Sequence, residues 1–196
     1  AEGKGPAKTQ TRASVFYSDA GLHVAFRCDE PRINQLAAKY TKRDSGVWRD
    51  DCVEIFIQRP GQKGWYHVIS NSLGVTYEAK DRSDKWNPAL EVRAFVERDA
   101  WSVEFTVPWS DLGGPVKSGE KWRANFCRER KVEDELSSWS CTYGKFLKPE
   151  RFGELVFAET AARLQAIEIP EPVPGANRAR VQLKLAPGTV ADVQVT

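Results

Sequence analysis

The stretch Trp48-Arg49-Asp50-Asp51-Cys52-Val53-Glu54-Ile55-Phe56-Ile57 sets β-branched Val53, Ile55 and Ile57 at every second position. That alternation is the period of a strand with one face in a core, and β-branched side chains suit it. The strand nevertheless opens on a carboxylate pair, follows an indole, and carries Glu54 on the face opposite the three aliphatics. A charge in an apolar strand is costly unless it is paired or hydrogen-bonded. The segment therefore reads as one strand with two tasks, core packing on one side and a ligand-facing site on the other.

Further strand patterns lie on either side of it. Upstream, Leu22, Val24, Phe26 and Cys28 share one face and His23, Ala25 and Arg27 the other, and the turn Ser18-Asp19-Ala20-Gly21 joins this strand to one beginning at Thr11. Downstream, Arg59-Pro60-Gly61-Gln62-Lys63-Gly64 is a turn. Strand pairs follow at 65–71 with 75–80 and at 90–97 with 101–107, then single strands at 121–130, 136–142 and 152–157. Short strands spaced by turn signals, with no sustained helical period, predict an all-β antiparallel sandwich. Residues 1–10 read as a flexible lead-in, 11–158 as the sandwich and 159–175, with Pro170, Pro172 and Pro174, as a linker. Residues 176–196 read as a C-terminal strand pair or the start of a further domain.

Composition narrows the function. The 29 basic and 27 acidic residues are well mixed and leave a net charge of +2, without the basic face of a nucleic-acid binder. No apolar run approaches the ~20 residues of a membrane-spanning helix. No signal peptide is visible and the sequence begins without Met, which reads as a processed chain or a part of a larger multi-domain protein. Cys28, Cys52, Cys127 and Cys141 lack C-x-x-C metal spacing. Four cysteines allow three disulfide pairings that sequence cannot separate, and buried reduced thiols are the other reading.

Hydrolytic chemistry finds little support. The two histidines, His23 and His67, lie in no nucleophile motif such as G-x-S-x-G, and no phosphate-cradling glycine loop occurs. Asp50 and Asp51 are neighbours and would point to opposite faces of a strand. Asp50 and Glu54 share a face but stand roughly 13 Å apart at ~3.3 Å per residue, too far for a glycosidase pair. Two uses remain for Asp50 and Asp51. They are either calcium ligands, with Asp29, Glu30 and Asp44 as contributors, or acceptors of backbone hydrogen bonds at the strand entrance.

Seven Trp, nine Phe and five Tyr are the strongest hint. Trp48, Trp86, Trp109 and Phe146 fall in or beside polar loops, as plugs at the edge of a core or as ligand platforms. Trp65, Trp101 and Trp122 begin strands, where core packing is expected. A flat ring beside a carboxylate suits a sugar: the ring covers the C–H face and the charge bonds the hydroxyls.

Residues 48–56 resemble the W-x-x-D-x-V-E-I-F segment of the family 9 carbohydrate-binding modules. The likeness continues in order through Leu22-His23-Val24-Ala25-Phe26, Asn71-Ser72-Leu73-Gly74, Trp101-Ser102-Val103-Glu104, Pro108-Trp109 and Trp122-Arg123-Ala124-Asn125-Phe126. Ser138-Trp139-Ser140 and Pro149-Glu150-Arg151-Phe152-Gly153-Glu154-Leu155 complete it, so that it spans about 11–157. The resemblance implies a β-sandwich, often calcium-bound, that grips the end of a glycan between two rings. By position Trp48 matches one ring, Phe146 the second and Glu54 the sugar-bonding carboxylate. The family's Arg on the next strand is replaced, with His67 or Arg128 to stand in. The absence of Met argues against the haem-binding relatives.

The expected function is therefore a non-catalytic carbohydrate-binding module, secreted or periplasmic. Its candidate sugar contacts are Trp48, Glu54, His67, Arg128, Tyr143 and Phe146, and its candidate structural Ca2+ ligands are Asp50 and Asp51. A structural or protein-interaction sandwich without a sugar site is the alternative, followed by a glycan-active enzyme.

Overall fold

In the second strand Leu22, Val24, Phe26 and Cys28 are buried while His23, Ala25 and Arg27 are only half-buried, as a strand with one face in a core requires. The same alternation recurs in strand after strand, and the chain answers it by stacking two antiparallel sheets on their apolar faces. The computed structural model describes residue 3, residues 5–158 and the backbone of two further strands. Of the expected lead-in, linker and C-terminal strands, residues 1, 2, 4, 159–162, 169–179 and 185–196 lie outside the described residues.

The first sheet has the order β1-β2-β7-β6, from β1 (Thr11–Tyr17), β2 (Gly21–Asp29), β6 (Glu91–Val96) and β7 (Ala100–Pro108). The second has the order β10-β8-β3-β4-β5, from β3 (Cys52–Gln58), β4 (Tyr66–Asn71), β5 (Thr76–Lys80), β8 (Glu120–Arg130) and β10 (Gly153–Phe157). β9 (Glu135–Ser138) shares the outer edge of β8 with β10, pairing residues 127–130 where β10 pairs 120–124. β11 (Arg163–Glu168) and β12 (Arg180–Lys184) pair only with each other. All pairs are antiparallel, so the predicted sandwich is the observed fold.

The core between the sheets takes Leu22, Val24 and Phe26 from one layer and Val53, Ile55, Ile57, Val68 and Phe126 from the other. One end is closed by edge-to-face rings: Trp109 on Trp122 at 6.2 Å and Trp122 on Phe157 at 4.9 Å.

β3 departs from half-burial. All of Cys52–Ile57 is buried, on both faces of the strand. Two loops account for it by covering the outer face of the second sheet from opposite ends. Residues 37–51 place Val47 over Cys52 and Ile69. Residues 139–152 place Phe146 and Phe152 over Phe56 and Cys127. Between the loops the outer face stays open.

Candidate functional site

The floor of that opening follows from strand period and register. Glu54 faces outward because Val53 and Ile55 face inward, and Glu54 pairs across the ladder with Ile69. His67, diagonal to Glu54 on β4, therefore points to the same side, and its Nε2 lies 2.7 Å from Glu54 Oε2. An ionised carboxylate has no proton to give, so Nε2–H donates and Glu54 accepts. The imidazole stacks on Phe56, with ring centroids 4.1 Å apart and planes 15° apart, and meets Tyr77 edge-on at 6.2 Å.

Trp48 forms one wall. It sits in a single 3-10 turn, Val47–Arg49, whose Val47 is fully buried beneath it. Its ring meets Tyr77 edge-on at 5.1 Å and stays 40% exposed, so it is held upright without being absorbed into a core. Gly46 lets this turn lie flat on Tyr40, since a Cβ there would come within 2.8 Å of the tyrosine ring. Trp65, Arg82 and Leu147 complete a recess of about 250 Å³ lined by Trp48, Glu54, His67, Ile69, Tyr77 and Ala79. Trp65 is set by Asp81, which accepts the Trp65 N–H at 2.7 Å and returns its own N–H to the Trp65 carbonyl at 3.0 Å.

Of the six expected sugar-contacting residues, the recess gathers Trp48, Glu54 and His67. The other three lie elsewhere. Arg128 is paired with Val53 across the ladder and so faces inward, 2% exposed, donating to Glu30, the Asp29 carbonyl and the hydroxyls of Thr9 and Thr11. Phe146 is 5% exposed against Phe56 and Phe152. The chain then turns tightly, with Lys148 N–H on the Phe146 carbonyl at 2.9 Å, and Leu147 is the residue of this loop that reaches the recess. Tyr143 stands 60% exposed under the Arg151 guanidinium, away from the recess. Trp65, Tyr77, Arg82 and Leu147 were not expected there. Alternation outward from His67 reaches Trp65 and Ile69, a signal that the core-packing reading of Trp65 overlooks.

Asp50 and Asp51 are fully buried and act as acceptors. Asp50 takes the N–H groups of Lys39 and Tyr40 and the side-chain amide of Asn71. Asp51 takes the N–H groups of Ala37 and Lys131, and burial nonetheless pushes its carboxyl up. With all four oxygens facing N–H donors, the pair does not fit a cation. No group of three or more His, Cys, Asp or Glu able to hold a metal occurs among the described residues. Asn71 also accepts the N–H groups of Leu73 and Val75, so one side chain ties loop 37–51 to the β4–β5 turn. Asn125 works alike on the second loop, exchanging hydrogen bonds with both backbone groups of Ser140.

A larger cleft, about 510 Å³, opens between the sheet edges and is lined by Val15, Phe26, Phe126, Arg128, Trp139 and Glu154 among others. Its charges are spent internally, Arg128 on Glu30 and Glu154 on Lys121. The recess, which sets a carboxylate beside upright rings, is the stronger candidate.

The family model described as carbohydrate-binding family 9 matches residues 6–157. Among solved structures, a protein of Bacteroides uniformis is 19% identical with a TM-score of 0.66, covering 78% of this chain and 80% of its own. A family 9 module of Caldicellulosiruptor kristjanssonii in complex with glucose is 16% identical with a TM-score of 0.59, covering 78% of each chain. The same organism's module in complex with cellotriose gives 16%, 0.57, and coverage of 79% and 78%. These likenesses show a shared fold. No curated protein matches. No helix among the described residues is long and apolar enough to cross a membrane.

Proposed function

Because this chain belongs to carbohydrate-binding family 9, we propose that it is a non-catalytic binding module whose sugar enters the recess between Trp48 and Leu147. The observation that carries the proposal is the Glu54–His67 pair at 2.7 Å, on a floor walled by Trp48, Trp65 and Tyr77. The walls supply apolar area for the C–H face of a pyranose, and the floor supplies acceptors for its hydroxyls. Kin of the same fold that hold glucose and cellotriose support this ligand class.

At about 250 Å³ the recess falls below the ~300 Å³ at which pockets begin to engulf drug-sized ligands, which favours one ring, such as a chain terminus. Glycoside hydrolysis uses two carboxyl groups across the scissile bond, and Glu54 is the one carboxylate in the lining. Binding without bond cleavage is accordingly the proposed activity.

Calorimetric titration with glucose and cellotriose tests the proposal. Trp48→Ala should weaken binding by about 1–3 kcal/mol, with each 1.4 kcal/mol a factor of ten. A folded wild-type protein that binds no member of a broad glycan panel would overturn it.

A further inference from the structure

We propose that the cleft between the sheet edges is a second binding site, for a small neutral aromatic molecule carrying a hydrogen-bond-accepting oxygen. The opening follows from the sequence of β1, the edge strand of the first sheet. Thr11, Ala13 and Val15 pair with Cys28, Phe26 and Val24 and so share their inward side. Ala13 is the smallest of the three, and it fills little of the space between Phe26 and the edge of the second sheet. Phe126 and Leu155 stand across the cleft. Trp139 is pressed onto Gly153, where a Cβ would come within 2.5 Å of the indole ring. Aromatic rings thus run from floor to mouth, Phe26 meeting Phe126 at 6.2 Å and Phe126 meeting Trp139 at 5.6 Å. Phe26 is 2% exposed and Trp139 54%. At about 510 Å³ the cleft lies within the ~300–1,000 Å³ of small-molecule sites.

The polarity of the ligand follows from Arg128, a buried lining residue. Its Nη1 donates to the Asp29 carbonyl and to the Thr9 and Thr11 hydroxyls, and its Nη2 donates to Glu30. Its Nε has no hydrogen-bond partner among the described residues, and no other residue lining the cleft has a buried side-chain atom so left. Folded proteins rarely bury an N–H without an acceptor, and an oxygen on a ligand in the cleft supplies one. That oxygen need not carry charge. Glu30 is shared between Arg128 and Arg130, and Glu135 and Asp51 also face Arg130. Glu154 adds a carboxylate at the rim. The guanidiniums are therefore already answered, and burying a further anion beside these carboxylates is disfavoured. The cleft asks for an acceptor rather than a counter-ion.

Benzylacetone and hydrocinnamate separate these cases, being close in shape, the first a neutral ketone and the second an anion at neutral pH. Heteronuclear NMR titration of the wild-type protein with benzylacetone should give saturable shifts of the Arg128 Nε–H and of the Ala13 and Trp139 amides. The Glu54 and His67 amides, in the recess, should stay in place. Hydrocinnamate should bind at least ~10-fold more weakly. Ala13→Trp, which fills the mouth, should weaken benzylacetone binding by at least ~10-fold, and Trp139→Ala, which removes a ring without filling space, should weaken it several-fold. Absence of saturable shifts in the folded wild type overturns the site. So do shifts confined to the recess, or affinity unchanged in both variants. Hydrocinnamate binding as tightly as benzylacetone overturns the neutral ligand class. None of these results bears on sugar binding at the recess, which titration with glucose tests separately.

Discussion

Asn71 Nδ2 donates to Asp50 Oδ2 across 2.9 Å, and both side chains are fully buried. The bond matters for the recess because Asp50 also holds the backbone of Lys39 and Tyr40, in the same loop 37–51 that carries Trp48. Asp50→Asn is nearly isosteric, yet it replaces one acceptor by a donor. Whichever way the new amide turns, an N–H group of Lys39 or Tyr40 or the Asn71 amide then faces another donor. The variant should lose about 1–3 kcal/mol in urea denaturation, the cost of a buried group without its partner. It should also raise amide exchange across residues 37–49. Wild-type stability in Asp50→Asn would contradict the clamp.

The same geometry bears on metal dependence. Every oxygen of Asp50 and Asp51 accepts from an N–H group, so chelation has nothing to remove at this pair. Melting temperatures with excess chelator and with millimolar calcium should coincide within error. A rise of several degrees with calcium alone would show that these carboxylates exchange their backbone partners for an ion.

Strand period carried the sequence reading where side chains sit on regular elements, and failed where they do not. Val53, Ile55 and Ile57 are in the core and Glu54 on the open face, as alternation dictates. Arg128 is on a strand too, but its side depends on the register that pairs it with Val53, a long-range fact no local pattern contains. Phe146 and Leu147 differ by one position in an irregular loop, where the direction of a side chain is set by the turn closed at Lys148. The roles of Asn71 and Asn125 rest on hydrogen bonds to loops distant in sequence, so composition could not reveal them.

Thiol reactivity should follow burial. Cys28 is pushed up to about 12 by burial, and Cys52 and Cys127 are pushed well above their ordinary range for the same reason. The reactive species is the thiolate, so these three should not react with an aromatic disulfide reagent at neutral pH in the native protein. At most the half-buried Cys141 should react, whereas all four thiols should react in denaturant, since none of the four is in a disulfide. Fast reaction of more than one equivalent in the folded protein would contradict the packing described for β2, β3 and β8.

Glu30 provides the acid sensitivity. Fully buried, it accepts from Arg130 Nε at 2.6 Å and Nη2 at 2.8 Å and from Arg128 Nη2 at 3.2 Å, tying the end of β2 to β8. Burial works against its charged form, but the Arg130 hydrogen bonds, the Arg32 N–H and the two guanidinium charges outweigh it and hold the carboxyl below its ordinary value. A folded value below the unfolded one gives stability that is complete above about pH 4.3 and is lost as pH falls through the folded value. Glu78 and Glu129 are raised by burial and slope the other way, their share present at low pH and lost as pH rises through their folded values. Subtracting a variant from wild type separates the two trends. Glu30→Gln should cost about 3–5 kcal/mol at neutral pH, because it leaves two buried guanidiniums without their carboxylate. The difference between wild type and variant, followed by urea denaturation at decreasing pH, should narrow below about pH 4 as wild-type Glu30 gains its proton. A difference that stays constant through the acid range would mean that Glu30 is held by shape rather than by charge.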